Sequence, residues 1–169
     1  VNPKDPEGLI WYTDAGRNSV FWIHPKTKKV KEYHLLRANQ AVAAGKGESR
    51  GITPYGLDYS PVDGMIWYTK LNGNRIGRIN PNTADGDVKE WNPPFRGPRR
   101  LHVAPDGMIW VPGFGSGVFG KFNPKTEKWT VYDLPDKDNQ IPYALNVAPN
   151  GQVWICGTGN DSLLRFNPK

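Results

Sequence analysis

The chain has 169 residues, enough for one domain with a real core, and 22 Lys plus Arg against 16 Asp plus Glu leave it at +6. A basic balance suits nucleic acid, an acidic surface or an anionic ligand, but the excess is spread over the chain without a stripe or a known motif, so nucleic acid is not expected as a partner. No apolar run approaches the ~18 residues needed to cross a membrane, and the single cysteine, Cys156, excludes a disulfide within the chain and argues against a cysteine-based metal site.

Along the chain one phrase recurs four times: Gly8-Leu9-Ile10-Trp11, Gly64-Met65-Ile66-Trp67, Gly107-Met108-Ile109-Trp110 and Gly151-Gln152-Val153-Trp154. Each tryptophan precedes a proline by 14 residues (Pro25, Pro81, Pro124, Pro168), and successive tryptophans are 56, 43 and 44 apart. A period in the low forties marks a stack of similar units, none of which buries its own core alone. Gly 19, Pro 16 and Trp 7 fit many turns and short strands.

The first copy, about 7–36, opens at Glu7-Gly8 and offers three strands: one at Trp11, one over 20–24 and a polar one over 30–33. Residues 37–51 follow as an insertion rich in Ala and Gly, a surface loop with a helical turn of the kind that borders ring mouths. The second copy, about 52–92, is complete. Strand 55–59 lies between Pro54 and Pro61, and proline suits strand edges because it cannot donate to a ladder. Asp63-Gly64 makes a hairpin turn, and strands 66–69, 76–80 and 88–91 complete the unit. The third copy, about 97–135, repeats this with strands 99–103, Ile109-Trp110, 119–123 and 129–132. Its glycines between 113 and 120 read as a wide turn, because a phosphate-cradling loop needs a helix behind it. The fourth copy, about 141–169, has strands 143–147, Val153-Trp154 and 163–167, and lacks the last. Cys156 is expected as a buried, inert thiol beside Trp154.

Ile66, Trp67 and Tyr68 are consecutive, so both faces of the inner strands should be covered. The expected fold is all-β: a β-propeller of four-stranded antiparallel blades, with the tryptophans packed between blades. A β-sandwich gives no reason for one phrase at a fixed spacing. The missing strands at the two ends differ in type, one inner and one outer, which reads as an interior segment of a longer propeller. The start at Val1 reads as a processed or excised piece. The partners expected from this are the remaining blades or another copy of the chain, with a small-molecule or protein ligand at the ring mouth.

Pro54-Tyr55-Gly56-Leu57, Gly64-Met65-Ile66-Trp67-Tyr68-Thr69, Asn74-Arg75-Ile76-Gly77-Arg78-Ile79 and Val88-Lys89-Glu90-Trp91 together resemble one blade of the streptogramin lyase (virginiamycin B lyase-like) family. The resemblance covers nearly the whole chain except roughly 37–51. It implies a seven-bladed ring, of which this chain would supply about 3.5 blades, and a carbon–oxygen lyase that opens a cyclic depsipeptide by elimination. It also implies Mg²⁺, though no residue of this chain supports a metal, and a catalytic His at the start of the first strand. Tyr55, Arg99 and Tyr143 match that position and none is His. The family's acidic position after Trp-Phe-Thr falls on Asp14, Lys70, Gly113 and Gly157, of which only Asp14 is acidic. The alternative is a non-catalytic propeller that binds a ligand or partner protein; for either role a bacterial, periplasmic or secreted setting is favoured.

First-strand starts and second-strand ends should meet around the axis, which places Asp14, Tyr55, Lys70, Arg99 and Tyr143 at a ring mouth. There either the cations would hold an anion or carbonyl and the tyrosines would stack on or bond to a ligand, or the set is a polar, solvated rim such as any propeller has. His24, His34 and His102 have no metal-ligand spacing, and each is expected to be structural. A quinone-cofactor propeller is set aside, because its tryptophans stand late in the blade.

Overall fold

Among the residues that the computed structural model describes, 7–36 and 53–168, fourteen strands form four antiparallel sheets. The first sheet holds β1 (Ile10–Asp14), β2 (Ser19–Ile23) and β3 (Val30–His34). The second holds β4 (Pro54–Tyr59), β5 (Ile66–Lys70), β6 (Arg75–Ile79) and β7 (Lys89–Trp91). The third holds β8 (His102–Val103), β9 (Ile109–Gly113), β10 (Val118–Asn123) and β11 (Lys128–Asp133). The fourth holds β12 (Pro142–Val147), β13 (Val153–Gly157) and β14 (Ser162–Phe166). Each sheet is a meander in chain order, as propeller blades are. The insertion at 37–51 lies outside the described residues.

The turns explain why the phrase repeats. Gly8, Gly64, Gly107 and Gly151 all have positive φ, between 64° and 83°, a conformation that glycine adopts without penalty. The next turn in each blade needs the same left-handed residue at Asn18, Asn74, Gly117 and Asp161, with φ of 51–60°. Asn and Asp tolerate that region better than other side chains. In the turn after the third strand, Asn80 Oδ1 accepts the Asn82 amide and Asn123 Oδ1 accepts the Lys125 amide. His24 stands in the same place, and its Nδ1 accepts the Lys26 amide at 3.1 Å. Its role is therefore that of an Asn.

The core lies between blades. Strand alternation sends Ile66, Tyr68 and Ile79 back to the first blade, where they pack with Val20, Tyr33 and Leu35. Trp67 and Ile76 point the other way, into a cluster with Leu101, Val103, Ile109 and Phe122 of the third blade. Trp110 and Phe119 likewise meet Leu145, Val147 and Ile155 of the fourth. Trp67 stacks on Trp91 at 5.4 Å and meets Phe122 edge-on at 6.0 Å, while Trp110 stacks on Tyr132 and meets Phe166. These tryptophans are thus the glue between successive sheets, and β5 is buried along its whole length.

Two expectations need correction. The third blade's inner strand is shorter than 99–103: only His102 and Val103 pair in the ladder, with a bridge between Pro98 and Gly113. Pro112 faces this stretch from β9 and has no N–H to give; it only accepts the Arg99 amide at 3.2 Å. Arg100 instead bridges in parallel to Ala144 of the next blade. Cys156 is exposed rather than buried, because it shares the outward face of β13 with Trp154, and no blade packs on that face here.

Candidate functional site

The inner strands meet because a threonine from each of the first two blades staples it to the next. Thr13 Oγ1 donates to the Tyr55 carbonyl at 3.4 Å, and Thr69 Oγ1 donates to the Arg99 carbonyl while accepting the Gly56 amide at 2.8 Å. Gly56 permits this approach: a Cβ there would stand 2.4 Å from the Arg99 carbonyl oxygen and 3.0 Å from the Arg100 Cα.

This stapling brings Tyr55, Arg99 and Tyr143, one from each of three blades, into one cluster. The two tyrosine hydroxyls are 2.9 Å apart, and Arg99 Nη2 donates to the Tyr55 hydroxyl at 3.1 Å. The Arg99 guanidinium carbon lies 3.7 Å from the Tyr143 ring centre, 4.0 Å from Phe114 and 4.9 Å from Tyr55. Aromatic faces attract cations at these distances, so the guanidinium is held in an aromatic cage. Arg100 flanks it, 5.4 Å and 5.6 Å from the Tyr143 and Tyr55 rings. Among the described residues no carboxylate lies within ion-pair distance of either arginine. Arg99 Nε is buried, and among the described residues it has no hydrogen-bond partner.

This environment alters acidity. The hydrogen bond from Tyr143, then that from Arg99, lowers the Tyr55 phenol from 10.0 to about 8. Both partners donate to the phenolate and so favour it. The Arg100 guanidinium is held above its ordinary value, first by its hydrogen bond with Tyr55.

The two remaining mouth candidates lie elsewhere. Lys70 is fully buried: Nζ sits 2.6 Å from Glu90 Oε1 and donates to the Leu36 carbonyl. Glu90 also takes Arg75 Nη1 at 3.1 Å and the Tyr68 hydroxyl at 2.6 Å. Burial, first, holds the Lys70 ammonium below its usual value, and burial followed by the Glu90 charge pushes the Tyr68 phenol up. Lys70 stands on the same face of β5 as Ile66 and Tyr68, so it points between sheets rather than along the axis. Asp14 caps its own turn, where Oδ1 accepts the Arg17 amide at 3.1 Å.

Sequence reasoning missed Arg100 and Phe114. Arg100 follows Arg99 directly and matches Gly56 and Ala144 of its neighbours, which is a visible signal. Phe114 hides in the glycine-rich turn after β9. Beside the cluster, the inner strands enclose a cleft of about 530 Å³ whose lining includes Tyr55, Asp58, Arg100, His102 and Asn146. Among the described residues no group of three or more His, Cys, Asp and Glu side chains is placed to hold a metal ion.

No protein-family model matches the chain, and no curated protein matches it. Solved structures do. A streptogramin B lyase superposes with a TM-score of 0.73 and 25% identity, over 98% of this chain and 53% of its own. A catalytically inactive variant of virginiamycin B lyase from Staphylococcus aureus, solved with quinupristin, gives 0.71 and 23% identity, over 97% and 54%. The WD40 β-propeller domain of Doa1 gives 0.70 at 16% identity, over 96% and 48%, a likeness of fold alone. The chain spans about half the length of each of these structures. It has the fold of a streptogramin lyase-like β-propeller.

Proposed function

We propose that this chain is an arc of a streptogramin lyase-like propeller that opens a cyclic ester by breaking a carbon–oxygen bond, with the ester held at the Tyr55–Arg99–Tyr143 mouth. The observation that carries this reading is the pair of guanidiniums at the axis, Arg99 and Arg100, with no carboxylate partner among the described residues. Elimination across an ester releases a carboxylate, so negative charge grows on oxygen as the bond breaks. Fixed cations beside that oxygen stabilise the transition state more than the ground state. Tyr143 and Phe114 keep the Arg99 guanidinium in place before the ligand arrives. Tyr55, its phenol lowered to about 8 by Tyr143 and Arg99, supplies a hydroxyl that hydrogen-bonds a carbonyl.

The resemblance implies Mg²⁺, but the described residues offer no group of three or more His, Cys, Asp and Glu side chains to hold it. The second reading, a propeller that binds the same class of ligand without reacting, is favoured by one observation: Tyr55, Arg99 and Tyr143 stand where the family resemblance leads one to expect His. A chromatographic assay decides between them. The purified protein is incubated with quinupristin, with and without Mg²⁺, and ring opening is followed through the absorbance of the new double bond. Turnover by the wild type, reduced about 100-fold in Arg99→Ala, supports the lyase. Saturable binding with no product sinks it in favour of the binding module.

A further inference from the structure

Three residues beyond the mouth, the inner strands carry a second polar rung. Asp58, His102 and Asn146 follow Tyr55, Arg99 and Tyr143 at the same interval, and all three line the axial cleft. His102 Nδ1 is 3.2 Å from Asp58 Oδ2, across the junction of the second and third blades. The carboxylate is itself anchored: Oδ2 accepts the Val103 amide at 2.8 Å and Oδ1 accepts the Tyr59 amide at 2.8 Å. An ionised carboxylate only accepts, so the proton of a neutral His102 belongs on Nδ1 and its lone pair on Nε2. Among the described residues nothing hydrogen-bonds Nε2, and the His102 side chain remains 25% exposed. A histidine that only filled a sheet would not need a fixed carboxylate behind it and a cleft in front.

We propose that His102 is the proton acceptor of the axial cleft and that Asp58 is its positioning residue. The inference rests on the lyase reading for the identity of the proton. Nε2 takes the proton from the carbon between the ligand's carbonyl and its C–O carbon. The C–H electron pair becomes the new C=C bond. The C–O bond breaks, and its electron pair leaves on the ester oxygen as a carboxylate, which Arg100 on the same cleft wall receives. The imidazolium, facing Asp58, then returns its proton to water. No oxidant or reductant is involved.

Two measurements on the purified protein test this. Long-range ¹H–¹⁵N NMR on the wild type should show His102 as the Nδ1–H tautomer, and Asp58→Asn should abolish that preference. An Nε2–H tautomer in the wild type overturns the proposal whatever the activity. In the ring-opening assay His102→Gln should lower kcat about 100-fold with KM nearly unchanged. Equal turnover by wild type and His102→Gln overturns the proposal while leaving the lyase reading intact. Absence of turnover in the wild type removes the lyase reading and the catalytic role of His102 with it.

Discussion

Tyr55 should ionise well below an ordinary tyrosine, because its phenolate receives hydrogen bonds from Tyr143 and Arg99. A difference titration at the tyrosinate absorbance should show one group with a midpoint of about 8. Tyr143→Phe removes the larger cause and should move that midpoint toward 10. The sign for stability follows from linkage. The folded value lies below the unfolded one of about 10. Tyr55 ionisation therefore adds nothing below pH 8, adds stability as pH rises from 8 toward 10, and adds its full share above that. A stability–pH profile that is the same in Tyr55→Phe as in the wild type would contradict this. At this scale the period was enough to bring Tyr55, Arg99 and Tyr143 to one place, because equivalent residues of successive inner strands must meet at the axis. It could not place Asp14 and Lys70. Both end their strands near the axis, but side-chain direction follows strand alternation: Lys70 turns between sheets and Asp14 folds onto its own turn. His102 was legible only as a mid-strand histidine, since its partner Asp58 is 44 residues away and a different strand supplies it.

Between elements, the buried ion network shows how the first two blades are tied. Lys70, Arg75 and Tyr68 converge on Glu90, whose side chain has no exposure, and Lys70 also reaches the Leu36 carbonyl of the first blade. Removing this carboxylate takes the counter-charge from the buried Lys70 ammonium and one ion-pair partner from Arg75. Glu90→Ala should therefore cost about 3–5 kcal/mol in denaturant unfolding. Glu90→Gln should cost less, because it keeps two hydrogen-bond positions. In the sequence 88–91 reads only as the last strand of its unit, and nothing there shows that its glutamate is buried, since the lysine that needs it lies 20 residues away. A second test sits at the axis. Gly56→Ala puts a methyl against backbone atoms of the third blade, which cannot rotate away, and should destabilise by about 1–3 kcal/mol. The same change at Gly16, whose nearest neighbour is a side-chain oxygen at 3.4 Å, should be nearly silent. Similar costs at the two positions would mean that the blades do not approach as closely as described.

Across the whole molecule, every interface uses the same parts: a tryptophan pointing forward and an apolar pair pointing back. Among the described residues, nothing covers those parts on the two end blades. Ile10 and Tyr12 are 46% and 41% exposed on the backward face, and Trp154 and Leu163 are 38% and 67% exposed on the forward face. Their counterparts Ile66, Tyr68, Trp67 and Ile76 are buried to 3% or less. Such faces suit completion of the ring by other blades or chains. In the purified protein Trp154→Ala should then cost about 3–5 kcal/mol, as Trp67→Ala should. A cost under about 1 kcal/mol would mean that the forward face stays open. The repeat made the blade architecture legible, because each blade is a local meander with its own turn signals, but not the shortened inner strand of the third blade. The candidate site was less legible, because it is assembled from single residues on three blades and sits where the copies differ. The most direct test of the mouth as a ligand site is calorimetric binding of a type B streptogramin to the wild type and to Arg99→Ala, each shown to be folded. The expected result is saturable binding that weakens at least about 10-fold in Arg99→Ala, the loss of one charged hydrogen-bonding partner. Equal affinity for the two proteins would contradict the assignment of the mouth.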